Sequence, residues 1–217
     1  MHLANVAIWR CARAAAALAA VALTLVTFRA ALGAAWDSRD FPEMLLVKVL
    51  AWPTIFPLHM ATGGFALLLV PAAIAFAGTR WHRFIARVAA ADVVVAAITA
   101  FPVALESPVT RMTAAGFTTQ ATLWLALLAL GVRAIRRGDV KAHRTFMLLM
   151  AAVTSGAMVF RVYLALWVAL NGYAHFRYFY ACDAFAGWVT PLAAMAIWLW
   201  ARERKTLRRT QAPSNSA

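Results

Sequence analysis

Residues 80–105 read RWHRFIARVAAADVVVAAITAFPVAL, and residues 141–170 read KAHRTFMLLMAAVTSGAMVFRVYLALWVAL. In each, a His-Arg pair (His82-Arg83, His143-Arg144) follows a basic loop and is trailed by a phenylalanine (Phe84, Phe146). Each pair opens an apolar run longer than the roughly 20 residues that cross a bilayer as a helix. Around these two runs the whole chain has the same character. It is 64% hydrophobic, with mean hydropathy +0.73 and only 13% charged residues, against roughly 25% in an average soluble domain. The expected fold is an all-α polytopic membrane protein.

Six transmembrane helices can be drawn, at about 14–34, 55–77, 84–105, 117–135, 145–170 and 183–201. They form a single transmembrane domain over residues 1–205, followed by a disordered cytoplasmic tail over 206–217 that ends Pro-Ser-Asn-Ser-Ala. The segment from Met44 to Trp52 reads as an interfacial helix ending at Pro53. Trp81, Tyr173, Tyr178, Tyr180, Trp198 and Trp200 fall where aromatic residues anchor a membrane interface.

A net charge of +13 and a pI near 11.4 would point to nucleic acid in a soluble protein. Here the basic residues sit in short loops between apolar spans, so they set topology and no nucleic-acid partner follows. Fifteen of the 21 Lys and Arg lie on the N-terminal flank, the second and fourth loops, and the tail. By the positive-inside rule that side is cytoplasmic, both termini included. Cys11 and Cys182 then fall on opposite sides, which forbids a disulfide between them. The first 35 residues resemble a signal peptide, but Arg29 interrupts the cleavage region, and retaining the span keeps the helix number even.

Spans two to five read as two hairpins in parallel, the expected four-helix bundle. His59 lies 23 residues before His82, and Gln120 lies 23 before His143. In such a bundle the third and fifth spans face each other diagonally, which would bring His82 and His143 together at the cytoplasmic end. Neutral imidazoles on facing helices are good axial ligands for haem iron. Arg83, Arg87, Arg136, Arg137 and Arg144 surround the expected haem b site as partners for its propionates. Zinc or copper fits less well, since no cysteine and no His-x-x-x-His spacing completes a coordination sphere. The bland alternative makes both histidines interfacial anchors beside lipid phosphates.

Other polar groups lie inside the spans. His143, Met147, Met150, Thr154, Ala157 and Arg161 follow steps of three and four, a single helix face. Arg161 is expected to face the bundle, either bonded to carbonyls or a carboxylate (Glu106, Asp183) or touching a ligand. His59, Gly63, Ala66, Val70, Ala73 and Ala77 form a stripe of mostly small residues suited to close helix packing. Ala86 and Ala90 share that spacing on span three. Asp92, well inside the same span, is a proton carrier or ion partner by default, or else a salt bridge to Arg87 or Arg133. No phosphate-binding glycine loop, His-Glu-x-x-His motif or nucleophile elbow is present in the sequence.

At these positions the chain resembles a bacterial family of predicted membrane proteins known as domain of unknown function 2306. That family's pattern has an early His in the second span, then His-Arg-x-x-Gly-Arg and a Tyr. It continues with His-Arg-x-Trp-Met and an Arg eighteen residues after that His. His59, His82-Arg83, Arg87, His143-Arg144, Met147 and Arg161 fit in order and spacing, and Trp188 to Leu192 resembles the last span. The departures are Ala86 for Gly, Ala89 for Tyr, Phe146 for Trp and Leu149 for Arg. The resemblance covers about residues 50–200 and implies a protein of the bacterial cytoplasmic (inner) membrane with no established activity. By looser analogy, the pairing of spans three and five is similar to half of a cytochrome b561-type bundle. Its second haem would require histidines on spans two and four, where this chain has His59 and Gln120.

Three functions follow as expectations. The first is haem binding and transmembrane electron transfer to or from a quinone or respiratory protein partner. The second is a small permease or channel using His59, Asp92 and Arg161. The third is a non-catalytic assembly or partner protein.

Overall fold

A computed structural model describes residues 2–37, 43–106 and 109–211, with side chains described over 10–37, 46–106 and 109–206. The regular structure among the described residues is entirely helical: α1 His2–Trp36, α2 Glu43–Ala51, α3 Ile55–Ala75, α4 His82–Leu105, α5 Arg111–Arg136, α6 Val140–Asn171 and α7 Phe176–Gln211. All except the short α2 are long and apolar enough to cross a membrane, which makes six spans. Hydrocarbon offers no water to backbone N–H and C=O groups, so each crossing segment must satisfy them internally, as a helix does. The chain is an all-α, multi-pass membrane protein whose spans contact the lipid bilayer.

Several helices outrun the apolar stretches from which their ends were expected. α5 begins at Arg111 instead of 117, α6 at Val140 instead of 145, and α7 at Phe176 instead of 183. Two of these early starts have a local cause. The Thr110 hydroxyl accepts a hydrogen bond from the Thr113 amide at 3.0 Å, and Asp139 Oδ1 accepts one from the Ala142 amide at 2.8 Å. Such N-caps satisfy amides that the first helical turn leaves unpaired, so the helix starts at the cap and not where hydropathy rises. α7 continues to Gln211, through the first part of the expected tail; residues 212–217 lie outside the described residues, as do Asp40, Phe41 and Pro42.

The chain divides into two compact units, Met1–Pro108 and Val109–Ala217. The first and last helices, left outside the expected bundle, each pack as partners within their own unit.

In the first unit α3 packs on both α4 and α1. α3 buries Phe56, Gly64, Ala66, Leu67 and Val70, and α4 buries Ala89, Val93, Ala96, Ala97, Thr99 and Ala104. Most of these side chains are small, which lets the two backbones approach closely. Of the expected small stripe, Ala66 and Val70 are buried, whereas Gly63 is not the close contact. A Cβ at Gly63 would meet nothing within 4 Å, whereas one at Gly64 would lie 3.1 Å from the Ala31 Cβ of α1. Phe28 and Phe65 close the same α1–α3 seam edge to face, with centroids 5.3 Å apart. On α4 the buried row runs through Ala89 and Val93, while Ala86 and Ala90 are only half-buried. α2 is tied down by Lys48, whose Nζ donates to the Val103 carbonyl of α4 at 2.6 Å.

In the second unit α5, α6 and α7 pack pairwise. Glycines set the spacing. A Cβ at Gly116 would lie 2.8 Å from the Ala184 carbonyl oxygen, one at Gly156 2.7 Å from the Trp188 Cβ, and one at Gly187 2.8 Å from the Phe160 Cβ. Real Cβ atoms do not tolerate such contacts with backbone, so only glycine allows these three crossings. Rings of Phe117, Phe160 and Tyr180 fill the seam as an edge-to-face cluster with centroids 5.3 to 6.3 Å apart. Tyr180 therefore does not belong to the interfacial belt expected of it, unlike the exposed Tyr173 and Tyr178.

Candidate functional site

The two His-Arg pairs sit at equivalent points of two helix hairpins, α3–α4 and α5–α6. Each hairpin turns at a glycine with positive φ: Gly78 at 84° and Gly138 at 80°. L-residues rarely adopt this conformation, and glycine adopts it at no steric cost. Four and five residues later the histidine side chain reaches back across the turn. His82 Nδ1 donates to the Ala73 carbonyl of α3 at 2.8 Å, and His143 Nδ1 donates to the Gly131 carbonyl of α5, also at 2.8 Å. A carbonyl has no proton to give, so in both rings Nδ1 carries the hydrogen, and in the neutral imidazole Nε2 is the nitrogen left with the lone pair.

The other ends of the hairpins carry a matching pair of contacts. His59 Nδ1 on α3 donates to the Ala96 carbonyl of α4 at 3.0 Å, with the Thr99 hydroxyl 3.4 Å away. Gln120 Nε2 on α5 donates to the Val153 carbonyl of α6 at 3.3 Å. The equal 23-residue spacings thus correspond to one design used twice: a polar side chain on the first helix bonds the second, and a histidine on the second bonds the first. Both His59 and Gln120 act as interhelical ties. Met147 of the His143 face lies against Gly131. Further along that face Trp124 Nε1 donates to the Thr154 hydroxyl at 2.9 Å, a tie the sequence reading did not find.

The cations are arranged differently from the imidazoles. Arg83, Arg87 and Arg144 are exposed and enter no ion pair among the described residues. Arg136 and Arg137 are exposed as well. Close by in the second unit, Lys141 and Glu203 form an exposed ion pair at 2.7 Å that joins the start of α6 to the last turns of α7.

Two intramembrane ionisable residues resolve differently from one another: Arg161 takes the carbonyl expected among its partners, and Asp92 takes no expected partner. Arg161 donates from Nη1 to the Ala157 carbonyl of its own helix at 2.8 Å and forms no bridge to Asp183. Asp92 is half-buried, with Oδ2 buried and without a hydrogen-bond partner, and no salt bridge to Arg87 neutralises it. A third residue, Asp183, named in the sequence only as a possible carboxylate partner of Arg161, is buried at 1% exposure. The available signal was its register on α7, three residues after Tyr180 and four before Gly187, a single helix face.

No group of three or more His, Cys, Asp or Glu residues converges on a metal-sized point among the described residues. The two candidate haem ligands lie each within its own unit, His82 in the first and His143 in the second. Metal-ligating histidines almost always donate the other ring N–H to a carbonyl or carboxylate. Both histidines have that partner and the correct nitrogen left over.

Neither the curated proteins nor the solved structures include a significant match to this chain. From residue 56 in α3 to residue 199 in α7, well over half of its 217 residues, the chain matches the family described as "Predicted membrane protein (DUF2306)", and it belongs to that family.

Proposed function

We propose that this integral membrane protein carries b-type haem, with His82 and His143 offering Nε2 to iron. The observation behind the reading is the shared Nδ1-to-carbonyl bond. Each hairpin holds one imidazole in the tautomer a metal requires, on a rigid helix start and not on a loop. The exposed, unpaired Arg83, Arg87 and Arg144 supply cations of the kind that propionates take. Bound haem contributes one-electron redox chemistry; the chain contributes orientation, tautomer and charge. In this reading the electron partner is a quinone or a respiratory protein. The positive-inside charge pattern then sets the arginine-rich ends and both termini on the cytoplasmic side of a bacterial inner membrane.

The test uses a substitution that separates clasp from ligand. Asparagine places a donor near the Nδ1 position but has nothing at Nε2. Protein purified after expression with ample haem should show a Soret band. His82→Asn and His143→Asn should lose it while keeping most of the thermal midpoint of the haem-free protein. A wild-type protein with neither Soret band nor iron defeats the proposal.

One observation favours a second reading, the permease or channel: the buried Asp92 Oδ2 without a partner. Under it, Asp92→Asn and Arg161→Gln abolish pH-dependent flux in vesicles and His82→Ala does not. Unchanged flux in both polar variants removes it.

A further inference from the structure

Neither reading above uses Asp183. Its side chain is 1% exposed, and neither Oδ1 nor Oδ2 has a hydrogen-bond partner among the described residues. It stands seven residues into α7, inside a membrane span. The surrounding seam is closed by backbone contacts. Ala184, the next residue, meets α5 at Gly116, and Gly187, one turn later, meets α6 at Phe160.

Charged and titratable neighbours are few on all three helices. α5 has no charged residue between Arg111 and Arg133. α6 offers only Arg161 and Tyr163 between Arg144 and its end. α7 offers Tyr180 one turn before, with Arg177, Tyr178 and the exposed Cys182 nearer its start. Tyr180 lies within electrostatic range of both Arg161 and Asp183, yet no ion pair joins the two charged groups.

An ionised carboxylate without donors or a counter-ion is strongly disfavoured in an apolar interior. Something must compensate it, and the packing limits the choice. Among the described residues, no group of three or more His, Cys, Asp or Glu side chains assembles there for a metal ion. Ala184 meets Gly116 and Gly187 meets Phe160, so α5 and α6 both touch α7 within about one turn of the residue. The proton is the cation that needs neither a cavity nor further ligands. We propose that Asp183 is an intramembrane proton site, taking up and releasing a proton inside the second unit, with Tyr180 as its polar neighbour. This assignment is independent of haem at His82 and His143. It would equip the membrane interior to move a proton alongside either an electron or a solute.

Infrared difference spectroscopy reads the proton directly. The full-length protein is reconstituted in vesicles of phosphatidylcholine and phosphatidylglycerol and stepped in pH. The expected result is a protonated-carboxyl C=O band that forms and disappears with pH in the wild type. It is absent in Asp183→Asn, displaced in frequency in Asp183→Glu, and retained in Asp92→Asn. The glutamate variant keeps the experiment decisive if the asparagine variant does not fold. A wild-type band that ignores pH overturns the proposal, and so does one that neither Asp183 variant alters.

Discussion

His82 and His143 answer a demand of the backbone before any ligand is considered. The carbonyls of Ala73 and Gly131 each accept a ring N–H across the turn. Leaving a part-buried acceptor without its partner costs about 1–3 kcal/mol. His82→Ala and His143→Ala should therefore each lower the thermal midpoint in detergent, and the asparagine variants should restore most of it. Equal losses for alanine and asparagine would show that the Nδ1 bond contributes nothing. Lys48, on a helix that is not one of the six spans, gives a pH-dependent counterpart. Burial pushes its ammonium down from 10.5 to about 8, against the opposing pull of Glu106. Unfolded lysine keeps its proton to about 10.5, so between about 8 and 10.5 the unfolded chain holds more protons than the folded one. Stability contributed at this site thus rises with pH across that window and is flat below it. The thermal midpoint should climb more in the wild type than in Lys48→Met over that range; a fall would reverse the assignment. His175 is the single described non-glycine residue at positive φ, 52°, in the turn between α6 and α7. His175→Gly should stabilise the protein by about 1 kcal/mol, measured by the same melts.

Helix contacts in the second unit are decided by where a side chain is missing. Gly116, Gly156 and Gly187 face Ala184, Trp188 and Phe160 at distances that no Cβ could occupy. Alanine at any of the three must push two helices apart, at a cost of about 1–3 kcal/mol for forcing atoms into a packed seam. Gly63 is the control, because a Cβ there meets nothing within 4 Å. Gly63→Ala should be neutral or slightly stabilising through helix propensity, worth up to about 1 kcal/mol. Thermal melts of the four variants check both halves, and a Gly63→Ala loss equal to the others would refute the packing account. The helix starts obey a different rule. Thr110 and Asp139 begin α5 and α6 by capping, several residues before the apolar run. Hydropathy marks where lipid is, and capping marks where the backbone turns helical.

For the whole molecule, the positive-inside rule predicts the α3–α4 turn and both termini on the cytoplasmic side and the α6–α7 turn on the other. In a cysteine-free background (Cys11→Ser, Cys182→Ser), Tyr173→Cys should react with a membrane-impermeant thiol reagent in intact cells. Thr79→Cys should react only after permeabilisation; the reverse pattern would invert the topology. The number and helical nature of the spans were legible in the residues alone, because about 20 apolar residues in a row are a local property and hydrocarbon permits them little but a helix. His59, Gln120, His82 and His143 were legible for a similar reason, since a polar group within an apolar run is conspicuous wherever the chain goes. Tyr180 and Asp183 were not. Their fate depends on which helix lies against α7, and that contact runs through Gly116 and Gly187 to residues far away in sequence. The same holds for Gly64 replacing Gly63 at the α1–α3 seam, and for the first and last helices becoming partners within separate units. Local composition determined what crosses the membrane; tertiary packing decided which faces close, and so which polar groups lost their access to water.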